Sequence, residues 1–165
     1  MRLPGPNGDE FELRIAAYQF PEIDYEEYDA NWLVVETLAT ARGRRWQSHD
    51  ACLLTWEVAW LADWVEAIAA RNTLEAVLDF TEPNLRFELE PGTTERIRLR
   101  VYFEVECRPE WAPARAAGMN DLWVELECSP SDLRTWAATL REQRAQFPPR
   151  AGVGTTRDRD FFAQE

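Results

Sequence analysis

At 165 residues, with 45 % apolar and 12 % aromatic content, the chain is long enough for one buried core, too short for two, and has no need of disulfides or a structural metal to close it. Its 30 Asp and Glu outnumber 18 basic residues, leaving a formal net charge of -12 that opposes binding to phosphate backbones and to anionic membranes. Acidity of this degree favours basic protein partners instead.

The leader MRLPGPNGDE is rich in turn residues and lacks an apolar signal-peptide region. FELRIAAYQF then alternates, with Phe11, Leu13, Ile15 and Ala17 on one face, which predicts a half-buried strand ending at Pro21. PEIDYEEYD holds five acids within nine residues and fits neither structural period, so it reads as a loop. NWLVVETLAT is a second strand, ARGRR a basic turn, and RWQSHDACLL a strand returning from it. Thr55 is placed to cap a helix beginning TWEVAWLADWVEAI, with Glu57 in its first turn facing the helix dipole. Trp56, Trp60 and Trp64 share an arc of roughly 200° with Val58, Leu61, Val65 and Ile68, opposite Asp63 and Glu66. The tryptophan row is therefore a core stripe. Trp56, at the edge of the arc and beside the helix start, is the indole expected nearest the surface. The helix should end near Arg71 and Asn72.

Beyond it, LEAVLDF is a short strand, TEPN a turn, LRFELE an alternating strand and PGTT another turn. From Glu95 to Arg108 the alternation predicts one long strand, with Ile97, Leu99, Val101, Phe103, Val105 and Cys107 inward and Glu104 and Glu106 outward. PEWAPARAAGMND is a loop and DLWVELEC a strand. SPSD opens a second helix, with Ser129 as cap, Pro130 at the first helical position and Asp132 near the exposed amides. Leu133, Trp136, Ala137, Leu140 and Phe147 follow helical spacing until PPR stops it. The expected fold class is α+β, a mainly antiparallel sheet or sandwich of about seven strands packed with two helices. It forms a single domain, with a globular part at about 11–147 and residues 151–165 as a loose tail.

Little in the chain suggests chemistry. His49 is the one histidine, and no nucleophile elbow, zinc-helix or glycine-rich phosphate motif occurs, so no catalytic residue and no cofactor is expected. Cys52, Cys107 and Cys128 are odd in number and widely spaced, matching neither a disulfide framework nor a zinc site. DYEEYD lacks the alternating carboxylates and central glycine of a calcium loop, so no metal is expected either. No apolar run can span a bilayer, and the cytoplasm is the expected location. The candidate partner-binding residues are Glu22, Asp24, Tyr25, Glu26, Glu27, Tyr28 and Asp29, because negative charge interleaved with tyrosine provides both attraction and contact area for a basic protein. The alternative is a small-ligand or subunit-assembly domain using exposed tryptophans.

Four stretches, YDANWLVVE, CLLTWEVAWLADWVEAI, DFTEPNLRFELE and RVYFEVECRPEW, resemble in that order the bacterial WapI family of immunity proteins, over about Phe11 to Phe147. The resemblance implies a cytoplasmic, non-enzymatic protein that neutralises the C-terminal toxic domain of a wall-associated polymorphic toxin, a nuclease in the founding case. It implies no particular contact residues.

Overall fold

A computed structural model describes residues 1–91, 95–112 and 122–150. The PGTT turn past Pro91, the Pro- and Ala-rich loop from residue 113 to 121 and the tail 151–165 lie outside the described residues. Two four-stranded sheets and two helices make up the rest, an α+β fold as expected. The first sheet has the order β1 (Arg2–Pro4), β2 (Glu10–Tyr18), β3 (Trp32–Ala41), β4 (Arg44–Leu54), and the second β5 (Val77–Asp79), β6 (Leu85–Glu90), β7 (Ile97–Phe103), β8 (Trp123–Cys128). All neighbouring strands are antiparallel. Helix α1 (Thr55–Ala69) follows the first sheet and α2 (Pro130–Gln146) the second.

The leader is more than a run of turns. Leu3 pairs with Phe11 and is fully buried, which makes β1 an eighth strand among the described residues. At Gly5 a Cβ would lie 2.0 Å from the Glu125 carbonyl oxygen, so the chain crosses β8 at a separation that only glycine permits. In β2 the pairing shifts between Ile15 and Ala17, a bulge that leaves Ala16 over and turns Ala17 outward. The expected inward Ala17 is thus corrected, because one unpaired residue inverts a period of two. The predicted strand from Glu95 to Arg108 also shortens. Leu85 is the last β6 partner, opposite Phe103, and β8 runs out one residue earlier, opposite Tyr102. The Glu104 N–H still donates to the Asn84 carbonyl at 2.9 Å, and the backbone then turns at Val105 (φ 47°) into a 3₁₀ turn over Val105–Cys107. Val105 is therefore exposed, while Cys107 still points inward, and Glu104 and Glu106 do not share a strand face.

Rings from both sheets and from α2 meet at Phe11, whose centroid lies 5.9 Å from Phe87, 5.9 Å from Phe103 and 6.2 Å from Trp136. Trp64 enters the same core fully buried, and its indole N–H donates to the Glu75 carbonyl at 2.9 Å. The tryptophan stripe is a core stripe, but the indole at the surface is Trp60, half-buried, and not Trp56. Trp56 is covered by the ring of Tyr28, edge-on at 5.8 Å, from a loop that helical periodicity cannot see. Asp63 and Glu66 face α2, where both bind Arg141.

The start of α1 differs from expectation. Leu54 occupies the cap position, and its N–H donates to the Glu57 carboxylate at 2.8 Å. The other Glu57 oxygen accepts from the Thr81 N–H at 2.7 Å and hydroxyl at 2.8 Å, docking the Thr-Glu-Pro-Asn turn on the helix. Burial pushes the Glu57 carboxyl up, against the lowering effect of these donors. A raised carboxyl contributes stability that is full below its unfolded value and fades as pH rises through the folded value. Glu57→Ala strips the acceptor from two amides, at about 1–3 kcal/mol each. A loss of about 2–4 kcal/mol is expected by urea denaturation.

Helix α2 starts as predicted. The Asp132 N–H donates to Ser129 Oγ at 3.2 Å and the Ser129 N–H to Asp132 Oδ2 at 2.9 Å, a reciprocal box with Pro130 in the first turn. Hydrogen bonds from Ser129 hold the Asp132 carboxyl below its ordinary value of 3.8. Its contribution is present above that value and lost as pH falls through the lower folded one. Asp132→Asn should therefore cost about 1 kcal/mol at neutral pH. The same variant should flatten the stability-versus-pH slope on the acid side of pH 3.8, read from denaturant midpoints across a pH series.

Candidate functional site

Residues 21–29 run from the end of β2 to the start of β3 and project from that end of the first sheet. Glu22, Asp24, Tyr25, Glu26, Tyr28 and Asp29 are exposed, and Glu27 is half-buried. Tyr25 is 73 % exposed, the highest among large hydrophobic residues of the described chain, and Tyr28 is 46 % exposed. Six of the seven predicted residues are thus exposed. No basic residue interrupts the segment.

What holds this segment is a polar knot that the sequence reading did not single out. Asn31, fully buried at its base, uses its whole hydrogen-bonding capacity. Its amide group donates to the carbonyls of Glu27 and Arg150, both at 2.8 Å, and its Oδ1 accepts from the Thr55 hydroxyl and the Arg150 N–H, both at 2.9 Å. Thr55, expected to cap α1, instead serves this knot from inside the helix start. A 3₁₀ turn over Asp29–Asn31 and a bond from the Ala30 N–H to the Glu26 carbonyl (2.9 Å) close the loop above it. Tyr28 then lies over Trp56 of α1. The available signal was the polar Asn31 immediately before a β-branched run, where a strand needs no amide side chain.

A cluster of arginines lies at the opposite end of β3. β3 spans ten residues, about 30 Å at roughly 3.3 Å each. At its far end the hairpin carries exposed Arg42, Arg44 and Arg45, with Arg42 stacked over Trp123 (4.8 Å) and Arg44 over Trp111 (4.7 Å).

Other surface features offer less. A depression of about 540 Å³ on the outer face of β2, β3 and β4 is lined by Glu12, Arg14, Glu36, Arg45, Gln47 and His49. Glu36 is paired with Arg14, which holds its carboxyl low, and lies 3.3 Å from His49 Nδ1. A second depression, of about 380 Å³, lies at the end of α1 beside Ile68, Arg71 and Arg96. No tryptophan lines either one. Among the described residues no group of three or more His, Cys, Asp or Glu could hold a metal ion. Cys52, Cys107 and Cys128 are free and buried, and burial pushes the Cys128 thiol up to about 12. No helix of the described residues is long and apolar enough to cross a membrane.

The sequence model of a family described as "Immunity protein WapI-like family" matches residues 2–148. The chain belongs to the WapI-like immunity protein family. The match covers both sheets, both helices and the whole acidic loop, and membership indicates toxin neutralisation in general. Comparison with curated proteins gives no match. Within this WapI-like chain, Asn31 lies inside the matched segment and Arg150 just beyond it.

Proposed function

We propose that this WapI-like protein is a non-enzymatic immunity protein of the cytoplasm that binds a basic toxin domain through residues 22–29. The toxin is the C-terminal domain of a polymorphic wall-associated protein, and a nuclease fits best. A nuclease needs a positive surface to hold its substrate, and an acidic inhibitor competes for that surface. The observation that carries the reading is the exposed loop of Glu22, Asp24, Tyr25, Glu26, Tyr28 and Asp29 on a fully bonded base. Tyrosines supply contact area at low entropic cost, and the acids supply steering.

The test begins with the genes adjoining this one: a toxin domain found there is co-expressed with the protein, and the mixture is run on gel filtration at low salt. Protection of the cells and a co-eluting complex are expected. Unprotected cells together with separate peaks would sink the proposal. A small-ligand or assembly role has less support: Trp111 is exposed and Trp60 half-buried, but neither lines the depression on β2, β3 and β4 or the one at the end of α1.

A further inference from the structure

Arg150 reaches across sequence separations of 119 to 130 residues to grip the base of the acidic loop. Its backbone pairs with the Asn31 side chain in both directions, at 2.8 and 2.9 Å. Its guanidinium donates to the carbonyls of Pro21 (3.1 Å), Ile23 (3.2 Å) and Phe20 (3.5 Å), the residues where the chain leaves β2 and enters the loop. The same group lies 3.5 Å above the ring of Tyr18, whose hydroxyl donates to the Pro148 carbonyl. One cation thus gathers three carbonyl dipoles beneath a segment whose five acids repel one another.

Such a loop is costly to order. Fixing each residue takes about 1–2 kcal/mol of backbone entropy, and a partner that had to order it during binding would lose affinity accordingly. We propose that Arg150 is a positioning residue for the partner-binding surface: it locks the acidic loop in one conformation in the free protein, so that association does not have to order it. The positioning role rests on the proposed toxin-binding function; the lock itself does not. Lysine is a poorer substitute: all three carbonyls are bonded by the single Nη1, which an ammonium could imitate, but a point charge on a flexible stem does not stack flat on Tyr18.

The test uses the full chain with Arg150→Ala and Arg150→Lys. Loop opening is read by amide hydrogen exchange at residues 22–29 and by a glutamyl endopeptidase, which can cut after Glu22, Glu26 and Glu27. In Arg150→Ala both rates should rise roughly tenfold or more, with β3 and β7 amides unchanged, and Arg150→Lys should fall between. Affinity for the toxin domain should drop by the factor by which the closed fraction, obtained from the exchange data, falls, at unchanged Tm, since apparent affinity scales with the competent fraction. Unchanged exchange and cleavage in Arg150→Ala would overturn the lock. Loosening without loss of affinity would overturn the positioning role. Reversal of the loop charges, measured in parallel, then shows whether the latch alone has failed or the loop is not the interface.

Discussion

Trp64→Ala is expected to lower stability by about 3–5 kcal/mol, in the range for an aromatic side chain removed from a filled core. For a chain of this length that corresponds to a fall in Tm of roughly 6–20 °C. Trp64 is fully buried, its ring stands 6.4 Å from that of Phe87, and its truncation also removes one of the donors to the Glu75 carbonyl, which keeps the Thr73 hydroxyl at 3.0 Å. Trp60→Ala, one turn earlier on the same stripe but half-buried, should cost about 1 kcal/mol or a little more. Thermal and urea denaturation of the two variants side by side decides the matter. Equal losses would mean that α1 presents a different face to the sheets from the one described here.

Reversing Glu22, Asp24, Glu26 and Asp29 to lysine should slow association with the toxin domain roughly ten- to a thousand-fold at low salt, the range over which charge steers encounter. All four are exposed, so Tm should stay within a few degrees of the parent. Glu27 is best left in place, because it is half-buried. The wild-type rate should fall steeply as salt rises toward physiological strength, where the screening length is about 8 Å, and the reversed variant should lose that dependence. Stopped-flow mixing across a salt series reads both effects. A variant with an unaltered rate and the same salt slope would remove this loop from the interface.

These expectations draw on two kinds of information. Local sequence by itself determined the elements whose causes are local: the alternation of β3 and β6 through β8, the arc of α1, the Ser129–Asp132 box, and a cluster of acids too charged and aperiodic to form a strand. Each follows from rotation per residue or from side chains reaching three or four positions along the chain. Only the tertiary structure decided where alternation breaks and which exposed residues are held in place. The bulge at Ala16 depends on pairing with β3, and the end of β7 at Phe103 depends on β6 and β8 both running out. Trp56 is covered because Tyr28 lies on it, a contact between residues 28 positions apart. The acids of the candidate site were legible because charge is a property of each residue. Their common footing on Asn31 and Arg150 was not, because a hydrogen bond across 119 residues is fixed by how the two sheets and α2 close on one core and leaves no periodic mark in the sequence.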